Sequence, residues 1–415
     1  MKVIFIMNRV APRLLTALLF AATPAFADDD RRVELGGYGE IHLSHHDYGP
    51  DPTGAHGSSK ASRNVFDTTR FVLEVEGELP GDFEFEAEVE FEHGGTGAAM
   101  ELEYEEFGEY ETEVERGGEV VLEELYLEKK FGKRFSLKAG RFYVAVGMLS
   151  FFYQPTQYLG LARPESETTV LPAVWDEIGI SATAKLGPVE LRAQVVNGLD
   201  STGFSSQRWV ASGHQARFEE TRAKDLAVVG RADFVGVKGV MLGASAYFGN
   251  TTGNRPKPDM KGVSAPLLIV DAHGSLDLAP LRARGCLIWG KLKNAGAITE
   301  KNSRLSNNLQ VLRSPVAEQA LAAWVELGAN AAPALALSTD HRVEPFVRVE
   351  HYDTMFEVGP GRFDNPRFER LIYSAGLGYT YRDAVVTKLG MTHRKLGSAA
   401  LNSENTVGLA LGFVY

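Results

Sequence analysis

The chain has 415 residues, 43 Lys and Arg against 54 Asp and Glu, a net charge of −11, 43 glycines, 14 tyrosines, 23 phenylalanines and one cysteine. An acidic chain with no basic stripe is a poor nucleic-acid binder, and the single Cys286 excludes an internal disulfide framework. The glycine and aromatic content is untypical of an α/β enzyme, and beyond the first residues no apolar run reaches the ~20 residues of a membrane helix.

In chain order, Lys2, Arg9 and Arg13 precede an apolar run, Leu14 to Ala22, followed by Ala25-Phe26-Ala27 and three aspartates. A cationic start, a short apolar core and a small-x-small site predict a signal peptide over residues 1–27 and a single exported domain over 28–415. Removing the three cations takes the net charge from −11 to −14.

The next informative stretch is Arg70–Glu92. Phe71, Leu73, Val75, Gly77 and Leu79 alternate with Arg70, Val72, Glu74, Glu76 and Glu78. After Pro80-Gly81-Asp82, Phe83, Phe85, Ala87, Val89 and Phe91 alternate with Glu84, Glu86, Glu88, Glu90 and Glu92. Side chains alternate across a strand, so this is a hairpin with one apolar and one anionic face. The device repeats to the last residue. Strands are predicted at Val33–Ser44, Arg70–Leu79, Phe83–Glu92, Val120–Lys130, Phe135–Val146, Glu177–Leu186, Val189–Asn197 and Leu226–Phe234. They continue at Val240–Phe248, Leu267–Asp277, Leu281–Leu292, Ala320–Ala329, Arg342–Tyr352, Arg370–Thr380, Ala384–Arg394 and Thr406–Tyr415. Most have the ~9–11 residues with which a tilted strand crosses a bilayer.

Connection lengths discriminate further. Pro80-Gly81-Asp82, Gly132-Lys133-Arg134, Gly187-Pro188, Ala279-Pro280 and Arg382-Asp383 are tight. Long connections fall between them, at 45–69, 93–119, 147–176, 198–225, 249–266, 293–319, 353–369 and 395–405. Only Asn330–His341 is longer than a turn where a turn is due, unless Ala334–Leu337 extends a strand. Alternating short and long connections, with both chain ends on the short side, predict an all-β fold. Its form is an antiparallel transmembrane β-barrel of about sixteen strands in a bacterial outer membrane, with short periplasmic turns and long extracellular loops. Outward faces such as Ile178, Ile180, Ala182, Ala184 and Leu186 suit lipid, and aromatics cluster towards strand ends.

Several runs carry a family likeness: Lys138-Ala139-Gly140-Arg141-Phe142, the Gln154-Pro155-Thr156 to Arg163-Pro164-Glu165 loop, and Val195-Val196-Asn197-Gly198-Leu199-Asp200. Gly243-Ala244-Ser245-Ala246-Tyr247 and Asp271-Ala272-His273 belong with them. The chain resembles the phosphate-selective porin O/P-like family of Gram-negative outer membranes. The resemblance implies a sixteen-stranded barrel, a homotrimer, and passage of small hydrophilic solutes or ions. Phosphate-specific members carry arginine and lysine ladders that do not map onto this acidic chain residue by residue, so phosphate selectivity is not carried over.

If apolar faces meet lipid, polar faces line water. The acidic pore-lining candidates are Glu74, Glu76, Glu84, Glu86, Glu88, Glu90 and Glu124; the basic ones are Arg192, Arg231, Arg282, Arg284, Arg348 and Lys388. Loop 147–176 is the one apolar and aromatic connection, and exposed in solvent it would form a large apolar patch. Folded inward it becomes the constriction, with Tyr153, Arg163, Glu165 and Glu167 beside the solute path; packed outward it would be a surface or trimer contact.

No cofactor motif and no catalytic constellation emerges. His42, His45, His46 and Asp47 are metal-ligand types at a strand end entering a polar loop, and no metal site is assigned there. His393 and Ser403 lack the spacing that would specify a hydrolase. The expected function is a water-filled diffusion channel. The alternatives are a phosphate- or anion-selective porin, or a sealed barrel serving as adhesin or outer-membrane enzyme.

Overall fold

The alternation becomes sixteen antiparallel strands: β1 (Val33–Asp47), β2 (Ser62–Leu79), β3 (Phe83–Glu92), β4 (Glu119–Phe131), β5 (Phe135–Tyr143), β6 (Asp176–Leu186), β7 (Val189–Asn197) and β8 (Leu226–Val237). The others are β9 (Val240–Asn250), β10 (Pro266–Leu278), β11 (Leu281–Leu292), β12 (Gln319–Ala329), β13 (His341–Glu357), β14 (Glu369–Tyr381), β15 (Val385–Leu396) and β16 (Glu404–Val414). Each pairs with its sequence neighbours, and β1 pairs with β16 from Tyr38↔Val414 to Asp47↔Asn405, closing the barrel. Closure leaves no strand edge unpaired, which a hydrocarbon environment demands. The computed structural model describes residues 33–47, 62–94, 119–215, 220–305 and 314–415. The expected signal peptide at 1–27 lies outside them, as does most of loop 93–119.

At the seam, Gly37 N–H donates to the Tyr415 carbonyl (3.2 Å) and Tyr415 N–H donates back (3.0 Å). Gly37 has φ +148°, and a Cβ there would run into the Val72 carbonyl, so only glycine fits. The outward Gly39 and Gly77 leave space that the Phe413 and Phe85 rings fill. Outward positions are strongly exposed and apolar, as at Ile180 (54%), Leu242 (59%) and Leu389 (57%). Leaving such a side chain in water forgoes ~1.5–3 kcal/mol, a loss that lipid contact removes.

Several strands run past their expected ends, β1 to Asp47, β8 to Val237 and β13 to Glu357, and three further differences shape the lumen and its turns. β2 begins at Ser62 rather than Arg70, so the first long connection shrinks to 48–61. β5 ends at Tyr143, because Val144, Ala145 and Val146 are all buried in succession and no longer alternate. Residues 330–340 hold a short 3-10 turn at Pro333–Leu335 and no strand extension.

The apolar core lies inside the barrel, towards the long-loop end. Trp209, Leu199, Phe204 and Val210 from the loop after β7 pack with Ile288, Leu292, Met355 and Ile372. They also meet Ala295 and Ile298 of helix α2 (Ala295–Asn302), which follows β11. Trp209 donates to the Ala317 carbonyl (3.1 Å), and its ring occupies the space that a side chain at Gly290 would need. Both connections, expected as outer loops, thus contribute to the core inside the barrel.

A constricted lumen as the candidate functional site

Beyond Tyr143 the chain turns into the lumen, and residues 144–175 cross it before β6 begins. Gln194 accepts from Ala145 N–H (2.8 Å), Asp271 from Gly147 N–H (2.9 Å), and the Gly147 carbonyl accepts from Arg231 (2.6 Å). The segment folds on itself through Glu167, whose Oε1 accepts the Met148 and Leu149 N–H groups (2.7 and 2.8 Å). Further on, Leu159 N–H donates to Glu326 (3.2 Å), Arg348 to the Ala162 carbonyl (2.9 Å) and Lys388 to the Tyr158 carbonyl (2.7 Å). The Tyr158 hydroxyl donates to Glu40. Helix α1 (Glu165–Val170) is held where Ser166 donates to Glu350 (2.9 Å) and Arg394 to Glu165 (2.6 Å). Inward glycines admit the crossing: Leu159 occupies the space a side chain at Gly328 would need, Leu161 that at Gly408, and Pro155 that at Gly412.

Two loop carboxyls diverge. Burial pushes Glu167 above the ordinary glutamate range, against the pull of the Leu149 and Met148 amides and the Trp324 indole. Burial acts the same way on Glu165, but the Arg394 guanidinium outweighs it and holds that carboxyl below its ordinary range. Glu167 is buried and braces the loop, satisfying two amides and the Trp324 indole (2.7 Å), and it borders the same small pocket as Tyr153 and Arg163. Tyr153 packs on Tyr38 and Tyr143, with centroids 5.9 and 5.3 Å away. Arg163 donates to the Ala173 carbonyl (3.1 Å) and is close enough to act electrostatically on Glu90 and Glu92.

The acidic candidates Glu74 and Glu76 on β2, Glu84, Glu86, Glu88 and Glu90 on β3, and Glu124 on β4 all sit at inward positions. Glu76 pairs across strands with Glu86, Glu74 with Glu88, and Glu88 with Glu124. Glu123 was missed by period-two counting. A bulge between Glu88 and Val89 of β3 and their β4 partners places both Glu123 and Glu124 inside, where they are buried. Like charges directly opposite repel. The closest oxygens of Glu86, Glu88 and Glu124 lie within 4.8 Å of one another, where two unit charges cost at least about 3.5 kcal/mol at an effective dielectric of ~20.

The basic candidates occupy the other arc, and each is engaged. Arg192 pairs with Glu190 (3.1 Å) and Arg231 with Asp233 (2.7 Å), both guanidinium groups covering the Phe151 ring. Arg282 pairs with Glu344 (2.9 Å), Arg284 with Asp277 (3.4 Å), and Arg348 with Glu326 (2.7 Å). Lys388 lies over the Tyr158 ring (3.7 Å). Among the described residues, Glu74, Glu76, Glu86, Glu88, Glu123 and Glu124 have no such cation. Glu40 and Glu326, also missed, join Asp271 and Glu350 as inward carboxylates that fix the loop. His42 and His46 face inward while His45 is exposed and bonded to Asn64 (2.8 Å), so the histidines do not converge.

Three cavities follow one another past the loop. A 720 Å³ chamber at the short-turn end is lined by Lys130, Lys138, Lys185, Arg192, Glu124 and Glu128, among others. It shares Tyr143, Ser150 and Tyr153 with a 20 Å³ pocket, which shares Arg163 with a 260 Å³ chamber bounded by His46, Arg394 and Thr406. The smallest of these three spaces lies between the Tyr153–Arg163 part of the loop and Tyr38 of β1 and Tyr143 of β5.

The sequence profile of the phosphate-selective porins O and P matches residues 38–253, just over half of the chain. The chain belongs to this porin family. An uncharacterised protein of Aquifex aeolicus is 26% identical over 220 residues, 52% of this chain; the match spans 44% of that curated relative's length. Among solved structures, an anion-selective porin from Comamonas acidovorans superposes with a TM-score of 0.52 at 12% identity, covering 93% of this chain and all of that one. OmpT of Vibrio cholerae gives 0.52 at 8% identity over 94% and 99% of the two chains. The outer-membrane channel DcaP of Acinetobacter baumannii gives 0.51 at 12% over 93% and 97%. At such identities these likenesses speak for the fold. Family and fold together place the porin in the outer membrane.

Proposed function

We propose that the chain forms a water-filled channel for passive diffusion of small hydrophilic solutes and ions, constricted by residues 144–175 and weakly selective for cations. The observation that carries the selectivity is the asymmetry of pairing. Lumenal arginines and Lys388 are bound to carboxylates or to the loop, whereas Glu74, Glu76, Glu86, Glu88, Glu123 and Glu124 of β2–β4 have no cation within salt-bridge distance among the described residues. Glutamates two apart on a strand lie ~6.6–6.8 Å apart, inside a Debye length of ~8 Å, so their potentials add.

In this reading residues 1–27 are a cleaved signal peptide and 28–415 one domain, with the turns near Gly81, Gly132 and Gly187 in the periplasm. The porin assembles as a homotrimer in outer-membrane lipid. A second reading, a phosphate- or anion-selective porin, is favoured by the 720 Å³ chamber, where Lys130, Lys133, Arg134, Lys138, Lys185 and Arg192 outnumber Glu124, Glu128 and Glu190. The reversal potential of the purified porin in a planar bilayer under a KCl gradient separates the two, because selectivity is set at the narrowest point.

A further inference from the structure

The acidic wall holds two carboxylate triplets that share one member. Glu74, Glu76 and Glu86 form the first, Glu86, Glu88 and Glu124 the second, and in each the three contributing oxygens lie within 4.8 Å of one another. A second observation singles out Glu88. Its side chain is 1% exposed, and neither carboxylate oxygen accepts a hydrogen bond from any described residue. A buried carboxylate without a donor or a cation is costly. One proton relieves one carboxyl; one cation relieves three. Oxygen ligands at ~2.4 Å from Ca²⁺ lie at most ~4.8 Å apart, and the three oxygens of each triplet fall within that limit. The donors are all oxygen, and among the described residues no nearby cation forms a salt bridge with them: Arg70 pairs with Glu40 (2.8 Å), and Lys138, which lies over the Tyr126 ring (3.3 Å), acts on Glu124 and Glu86 at longer range. Hard divalent ions suit such a set better than soft or borderline ones.

We propose that Glu86, Glu88 and Glu124 bind a hard divalent cation of the Ca²⁺ or Mg²⁺ class inside the lumen, with Glu74 and Glu76 as the step through which it arrives. Exposure is graded in that order: Glu76 is exposed, Glu74 and Glu86 are half-buried, Glu88 and Glu124 are buried. The inference rests on the proposed function only in requiring water in the lumen.

Terbium(III), a Ca²⁺ surrogate whose emission is sensitised by nearby tyrosine, tests it on the full-length porin in detergent. Tyr126 donates its hydroxyl hydrogen bond to Glu86 and serves as the sensitiser. Saturable emission displaced by Ca²⁺ is expected, at least tenfold weaker in affinity in E88Q/E124Q. A second variant with glutamine at Glu105, Glu106, Glu109 and Glu111, in the separate carboxylate-rich run 101–115, should keep the wild-type affinity. Folding of each is checked by its heat-modifiable migration. Emission unchanged in a folded E88Q/E124Q porin, or lost with the 105–111 variant, overturns the site. A porin that conducts without binding terbium refutes this inference alone. One that binds terbium as described but does not conduct refutes the channel and leaves the site standing.

Discussion

Replacing Arg348 with methionine isolates the anchor that matters most to the crossing loop. Arg348 (4% exposed) donates to Glu326 (0% exposed) from Nε at 3.0 Å and Nη2 at 2.7 Å, and to the Ala162 carbonyl at 2.9 Å. With both groups out of solvent, screening gives little relief, and breaking such a pair leaves Glu326 charged and buried at a cost of about 3–5 kcal/mol. At 1.4 kcal/mol per power of ten, the population with Leu159–Ala162 detached rises by roughly two to three and a half powers of ten. The double variant E326M/R348M removes both charges and should recover most of the stability, while still lacking the bonds to Ala162 and Leu159. Thermal unfolding, followed by the heat-modifiable band shift, should therefore rank wild type and the double variant above R348M. Single-channel records should show larger, noisier currents for both variants. If R348M unfolds with wild-type stability, the pair is solvated and the reasoning fails.

Three further outcomes follow from the same geometry. Deleting Gln154–Thr168 removes the crossing segment and should raise single-channel conductance in a barrel that still assembles; unchanged conductance would mean the segment does not limit flow. Because Arg394 holds Glu165 below its ordinary range, that ion pair stabilises the loop above the unfolded glutamate pKa of ~4.3 and is lost as pH falls through the lower folded value. Open-channel noise should accordingly increase below about pH 4, and E165Q should show it already at pH 7. Gly290→Val would drive a side chain into the Trp209 ring and should cost about 1–3 kcal/mol of overpacking, read as a lower unfolding midpoint.

The barrel was legible because lipid and water impose a period of two on every crossing strand, and loop lengths report which end is which. The inward fold of residues 144–175 was legible from composition, since Phe151, Phe152, Tyr153 and Trp175 needed burial. What escaped was non-periodic or long-range. Glu123 sits at a bulge, where one extra residue breaks the alternation. Glu326 meets Leu159 across 167 residues, a contact that no local pattern announces. Trp209 is one of a few scattered apolar residues in a largely polar connection, and the space that receives it is made by Gly290, which reads as an ordinary strand glycine. Strand β5 ended early for a related reason: Val144–Val146 are apolar enough to continue it, but they face the loop's own core.

In the proposed channel the unpaired glutamates of β2–β4, rather than the engaged arginines, govern ion passage. The reversal potential of the purified porin in a KCl gradient at neutral pH tests it most directly. A cation-selective potential that strengthens as salt is lowered is expected. An anion-selective potential would contradict it, and would give the lumen to the basic residues of the 720 Å³ chamber.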